Sequence, residues 1–77
     1  MKISILNPKG IVFEGSAQSV IAPSSDGLIG ILPNHAPLLT KLGEGELKLK
    51  ANGKEEAYPI LGGVMEVVNN EITILSN

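Results

Sequence analysis

Glycine and proline interrupt this chain too often for a long helix to form. Nine glycines and five prolines are spread over 77 residues, and they recur every few residues from one end to the other. Because glycine weakens a helix and proline breaks one, no apolar face of helical period extends over ten residues. The sequence therefore predicts an all-β fold, and its length limits it to a single domain over residues 1–77.

Short stretches of strand-forming residues lie between turn signals along the whole chain. Asn52-Gly53 and Asn69-Asn70 have the composition of two-residue hairpin turns. We predict roughly eight to ten short strands, packed as a small sandwich of two antiparallel sheets. The segments with strand composition are 2–6, 11–14, 17–22, 28–32, 46–50, 56–60, 64–68 and 71–75.

The last hairpin can be aligned around Asn69-Asn70. A two-residue loop places Val67 opposite Ile72 and Met65 opposite Ile74, and these pairs give one face an apolar surface for the core. The opposite face then receives the pairs Val68 with Glu71, Glu66 with Thr73, and Val64 with Leu75.

The hairpin at Asn52-Gly53 aligns less well. A two-residue turn places Lys50 opposite Glu55, which is favourable. The same register places Leu49 opposite Glu56, which is not. We therefore expect a longer or bulged loop in this hairpin.

Two features that follow this hairpin restrict the local backbone. Pro59 lacks an N–H donor, so its strand is expected at an edge or at a bulge. The pair Gly62-Gly63 marks either a bulge or a place where another backbone segment comes close.

The composition excludes several kinds of chemistry. Without cysteine the chain forms neither disulfides nor cysteine-based metal sites. Its six basic residues are all lysines scattered among eight acids, so no nucleic-acid partner is expected. The start MKISIL has no signal-peptide cleavage site and no stretch approaches the ~20 apolar residues of a membrane span, so we expect a chain that stays in the cytosol.

His35 is the only conventional base in the chain, in the segment GLIGILPNHAPLL over residues 27–39. Ser24 or Ser25 with His35 and Asp26 could supply the groups of a hydrolase. The context of a nucleophile elbow is missing, however, and a domain this thin leaves little room for a water-excluding pocket. No spacing among the acids suggests metal ligands. We expect no catalytic, cofactor or metal site.

Two interpretations of this segment remain open from the residues alone. In one, the strand 28–32 ends at Pro33 and a rigid corner holds residues 36–39 over one end of the core. In the other, Pro33 and Pro37 hold His35 outward as part of a docking surface. Prolines pre-order a loop and so reduce the entropy that it loses on binding.

Three segments resemble, in order, the N-terminal domain of the epsilon subunit of F-type ATP synthases. They are VFEGSAQSVIAP, GLIGILPNHAPLLTKLGEGELKL and YPILGGVMEVVNNEITIL, and the resemblance covers nearly the whole chain. It implies a non-catalytic subunit of the central stalk that docks the gamma subunit onto the c ring and couples proton or sodium flow to ATP synthesis. It also implies a peripheral location on the cytoplasmic side of the inner or plasma membrane, or on the matching face in an organelle.

The resemblance further implies contact residues. Those toward gamma are Asn7, His35 and Thr40, and those toward the c ring are Asp26, Gly27 and Leu28. Leu28 departs from the family, which often has an acid at this position, suited to basic groups on the ring. Either Asp26 supplies the charge pairing or burial of Leu28 replaces it.

Members of this family usually continue into a C-terminal helical hairpin that can inhibit ATP hydrolysis and that in some members binds ATP. This sequence stops at Asn77, just after the last predicted strand. We expect either a naturally short subunit or a chain that has lost its tail, with no ATP binding and no inhibition through the hairpin.

An alternative function follows from the residues without the resemblance. A free-standing β-sandwich adaptor could bind a protein partner by strand addition at an edge such as Tyr58–Ile60.

Overall fold

All 77 residues are described by the computed structural model, and every regular element in it is a β-strand, which confirms the all-β prediction. No helix of the structure could cross a lipid bilayer. The nine strands are β1 Lys2–Asn7, β2 Gly10–Ser16, β3 Ser19–Ser24, β4 Gly27–Ile31, β5 Leu38–Leu42, β6 Gly45–Ala51, β7 Lys54–Ile60, β8 Gly63–Val68 and β9 Glu71–Ser76.

The strands form two layers that are joined along one side. Layer I has the order β2-β1-β9-β8-β5, and layer II has the order β4-β3-β6-β7. The only pairing between the layers is that of Ser24 on β3 with Leu42 on β5. The sandwich is therefore one continuous sheet that curls over on itself, and its strand pairs are antiparallel except for β1 with β9, which is parallel.

The core fills the space between the two layers and is aliphatic. Its fourteen buried residues form one cluster, and no polar side chain is buried with them. Side chains of β1, β6, β8 and β9 alternate between the core and the outer face, as the two-residue period of a strand requires. The core residues are Ile3, Ile5, Leu42, Met65, Val67, Ile72 and Ile74 from layer I, with Ala17, Val20, Ala22, Ile31, Leu47, Leu49 and Ile60 from layer II and its loops.

The β8–β9 hairpin has the predicted register. Val67 pairs with Ile72 and Met65 with Ile74, and all four side chains are buried. Asn69-Asn70 forms the two-residue turn with φ values of 51° and 61°. The three pairs predicted on the opposite face are also present.

The expectation of a longer or bulged loop at Asn52-Gly53 is wrong. The turn has two residues, with φ of 54° and 74°, and the pairing stays regular through Leu49 opposite Glu56. Since β7 is an edge strand of layer II, Glu56 reaches solvent past that edge while Leu49 stays buried. The Glu56 carboxylate accepts a hydrogen bond of 2.5 Å from the Tyr58 hydroxyl.

The strand β5 was not predicted, and the interpretation in which residues 36–39 form a corner is wrong in part. Leu38 and Leu39 belong to β5, which pairs with β8 over five residues. Residues 32–37 form the actual corner, which takes the chain from layer II to layer I. Long-range pairing with β8 extends the strand across residues that local signals assign to a turn.

Pro59 and Gly63 lie where their residue types predict. Pro59 is on the edge strand β7. Gly63 has a φ of 143°, and a Cβ at this position would overlap the carbonyl oxygen of Leu75 on β9. The Gly62-Gly63 pair thus marks a close approach of another backbone segment, as expected.

Candidate docking surfaces

The loops gather at the two ends of the sandwich. At the Asp26 end, defined by residues 8–9, 25–26, 43–44 and 61–62, the Gly43 N–H donates to the Pro23 carbonyl. At the His35 end, defined by residues 17–18, 32–37, 52–53 and 69–70, the Asn34 N–H donates to the Asn70 side-chain oxygen at 2.8 Å. Any partner contact made by the loops therefore falls at one end or the other.

The turn between β3 and β4 forms the tip of the Asp26 end. The Ser24 hydroxyl donates to the Gly27 carbonyl at 2.7 Å and accepts from the Asp26 N–H at 3.3 Å. Gly27 takes a φ of 119°, which an L side chain would strain. The three residues implied to face the c ring, Asp26, Gly27 and Leu28, are thus brought together and exposed, with Leu28 76% exposed.

His35 lies in the corner at the opposite end. Its Nδ1 is 2.7 Å from the Ala36 carbonyl oxygen, and because a carbonyl can only accept, this nitrogen carries the proton. In the neutral ring Nε2 is then left as an acceptor. Ser24 and Asp26 lie at the other end of β4, about 17 Å away for a five-residue strand, so the sketched Ser-His-Asp hydrolase site is not assembled.

The three residues implied to face gamma are not brought into one patch. Asn7 ends β1 at the Asp26 end, where its side-chain oxygen accepts from the Lys9 N–H at 2.8 Å. Thr40 is on β5 opposite the buried Met65, half-buried on the core-facing side. His35 lies beyond the other end of the same strand. These three residues lie at different places around layer I and do not form a cluster.

A row of apolar side chains crosses the outer face of layer I. Ile11 pairs with Leu6, Leu6 with Leu75, and Leu75 with Val64. Ile11 is 64% exposed, Leu75 53% and Val64 40%. We call these four residues the outer apolar row. Val64 and Leu75 were predicted on this face from the hairpin, but the row also requires the parallel pairing of β1 with β9, which no local turn signal predicts.

Reactive groups do not converge at either surface. No group of three or more His, Asp or Glu side chains could hold a metal ion. The pKa of Tyr58 is raised chiefly by its hydrogen bond to Glu56, with smaller contributions from burial and from the negative charge of Glu56.

The fold defines a small β-sandwich domain. The chain matches over residues 1–77 the family described as ATP synthase, Delta/Epsilon chain, beta-sandwich domain, and it belongs to that family. This confirms the resemblance to the N-terminal domain of the epsilon subunit.

Relatives and solved structures agree with this membership. The ATP synthase epsilon chain of Synechococcus sp. (strain JA-2-3B'a(2-13)) is 42% identical over all 77 residues, and the chloroplastic epsilon chain of Cyanidioschyzon merolae is 47% identical. The chain spans 56% and 59% of the length of these two relatives.

Two assemblies solved by cryo-electron microscopy contain chains of the same fold. The match in Euglena gracilis mitochondrial ATP synthase, OSCP/F1/c-ring, has a TM-score of 0.90 at 19% identity, covering 96% of this chain and 48% of that one. The match in the central stalk and c ring of Tetrahymena thermophila mitochondrial ATP synthase has a TM-score of 0.84 at 17% identity, covering 99% and 62%. At these identities the comparisons establish the fold.

Proposed function

We propose that this chain is a non-catalytic part of the central stalk of an F-type ATP synthase, where it docks the gamma subunit onto the c ring and couples ion flow to ATP synthesis. The observation that carries the proposal is that one rigid core holds two separate exposed surfaces, the outer apolar row and the tip at Asp26–Leu28. A body of this kind can hold two partners in fixed relation. Its location is peripheral, on the cytoplasmic side of the membrane or on the matching face in an organelle.

The rigidity follows from the hydrogen bonding of the sheet. Of 45 backbone hydrogen bonds, 40 lie within the strands, and the curled sheet joins both layers. Force applied to the outer face of layer I reaches the Asp26 end through paired strands, with no linker between them. The domain therefore transmits torque without needing a reactive group.

Gamma is assigned to the outer face of layer I. The outer apolar row offers an apolar contact that crosses four strands of this face, and Asn7 follows directly after Leu6 of the row. His35 and Thr40 lie at the β5 side of the same layer, about 14 Å across three strand spacings from β1. A subunit on this face contacts Asn7 directly. It reaches His35 only by extending past the end of β5, and the core-facing Thr40 only from the side of β5 that pairs with β3 at Leu42 alone.

The c ring is assigned to the Asp26 end. Leu28 replaces the acid that the family often has, and its side chain is 76% exposed, so binding would remove it from water. Asp26 carries the only charge at the tip. We expect Asp26→Asn to weaken ring binding and to reduce its dependence on salt, since exposed charge pairs are screened by ions. An unchanged salt dependence would contradict this role of Asp26.

Titration calorimetry with purified gamma tests the proposal. A one-to-one complex is expected, with no heat from ATP alone. Leu75→Glu should raise the Kd at least tenfold, because it places a charge in the apolar row. Leu61→Glu is the matched control, since Leu61 is 72% exposed but lies in the β7–β8 loop. The double variant His35→Glu, Thr40→Glu tests the residues implied by the resemblance.

The results distinguish the parts of the proposal. An absence of complex at low and moderate salt would contradict docking to gamma by these residues. Unchanged binding of Leu75→Glu would remove the outer apolar row from the interface. Unchanged binding of the double variant would remove His35 and Thr40.

A further inference from the structure

The strands with a free edge differ in how well that edge is protected from pairing. β5, at the end of layer I, has Lys41 and pairs with β3 at Leu42, and three further strands are free along one whole side. β2 and β7 end the order of the sheet, and β4 pairs with β3 alone. Charged residues, proline and bulges block strand addition at an edge. β7 has Pro59 and three charged residues, and β2 has Glu14 beside the bulge in its pairing with β1. β4 has no charge, no proline and a regular register, so it is the unprotected edge.

The sequence of β4 is self-complementary in the antiparallel direction. About a two-fold axis through Ile29, Leu28 of one copy lies opposite Gly30 of the other, and Gly27 lies opposite Ile31. Each small residue faces a large one. In this register each even-numbered residue of one copy lies opposite an even-numbered residue of the other. The N–H and C=O groups that point outward from the β4 edge of one copy therefore face those that point outward from the β4 edge of the other.

The surface beside β4 has room for the incoming side chain. A Cβ at Gly30 would meet no atom within 4 Å, and Ile21 and Leu32 flank Gly30 in a shallow recess. In this register Leu28 of the second copy lies over that recess. Asp26 falls opposite Leu32, so no charged side chain is placed opposite another.

We propose that the free edge of β4 binds a second copy of this chain, forming a two-fold dimer in which two copies of layer II join into one eight-stranded sheet. A contact of five residues a side is far smaller than the 20–30 residues a side of a stable interface. The dimer is therefore weak and reversible. The inference goes beyond the proposed function and needs no other subunit. Because Leu28 would serve both the c-ring contact and the dimer contact, ring binding and dimer formation would exclude each other.

Sedimentation equilibrium of the 77-residue chain tests the dimer. The concentration range, from about 10 µM to about 1 mM, is suited to weak interfaces. The mean mass should rise from 8.1 kDa toward twice that value. Leu28→Glu should raise the dimer Kd at least tenfold, because it brings two carboxylates to the new pairing. Leu61→Glu adds the same charge at an equally exposed leucine away from β4, and it should leave the Kd within twofold.

Amide NMR shifts of the wild-type chain should locate the contact. With rising concentration, the largest changes in amide shift should fall on residues 27–31. The Leu28→Glu and Leu61→Glu variants should keep the melting temperature of the wild type. A chain that stays monomeric at 1 mM would overturn the proposal. So would a dimer that Leu28→Glu does not weaken, or concentration-dependent shifts centred on β7 or the outer apolar row.

Discussion

Replacement of Gly63 by alanine tests how closely β8 and β9 approach each other. With φ at 143°, the added methyl group would overlap the Leu75 carbonyl oxygen and lie 2.9 Å from the Ser76 Cα. Both obstacles are backbone atoms, so no side-chain rotation relieves the overlap. The end of β9 must move away from β8, and their pairing at Gly63 and Ser76 is lost.

The expected cost follows from two contributions. An unfavourable backbone conformation costs about 1–3 kcal/mol, and a lost hydrogen bond adds about 1 kcal/mol. We therefore expect Gly63→Ala to lower the free energy of unfolding by about 3 kcal/mol, against a total of roughly 4–12 kcal/mol for a domain of this size. Since 1 kcal/mol shifts the melting temperature by about 6 °C here, the variant should melt about 18 °C lower.

Thermal and urea unfolding followed by far-UV circular dichroism measures this cost. Gly30→Ala is the matched control, because a Cβ there meets nothing within 4 Å, and it should change stability by less than about 1 kcal/mol. Gly62→Ala should fall between the two, since its Cβ would lie 3.2 Å from the flexible Asn77 amide. A Gly63→Ala variant that melts within about 3 °C of Gly30→Ala would refute the close approach.

Three further predictions follow. Ile74→Ala, at a fully buried position, should cost about 2–5 kcal/mol in urea unfolding. Asn52→Ala should cost about 1 kcal/mol in the same assay because Asn52 has a φ of 54°, whereas Asn52→Gly should be nearly neutral. Glu56→Gln should lower the pKa of Tyr58, followed by phenolate absorbance of the single tyrosine. In the wild type, the stabilisation linked to Tyr58 is present below pH 10 and is lost as the pH rises through the raised pKa.

Local signals predicted those parts of the fold that are themselves local. The β8–β9 register follows from one turn and a two-residue period, and both were visible in the sequence. The β1–β9 pair joins residues about 70 positions apart in parallel, and the β5–β8 pair makes a strand of Leu38–Leu42. Neither pairing has a turn that fixes it, so the sequence indicated the type of the fold and every strand except β5 but not this order.

The error at Asn52-Gly53 has a different origin. Leu49 opposite Glu56 is unfavourable only if both side chains must be buried together. At an edge strand the Glu56 carboxylate leaves the core and binds the Tyr58 hydroxyl. Pro59 had indicated that edge, so combining the two observations would have given the regular hairpin.

The docking surfaces also differ in whether neighbouring residues or long-range strand pairing define them. Asp26, Gly27 and Leu28 are consecutive, so one exposed turn presents them together, and the departure at Leu28 is visible from the sequence. Asn7, His35 and Thr40 were named by resemblance, and no local signal places them on one face. The outer apolar row is assembled from four strands and exists only once β1 lies beside β9. The self-complementarity of residues 27–31 is again a property of the sequence, but only the strand order shows that this edge is free to use it.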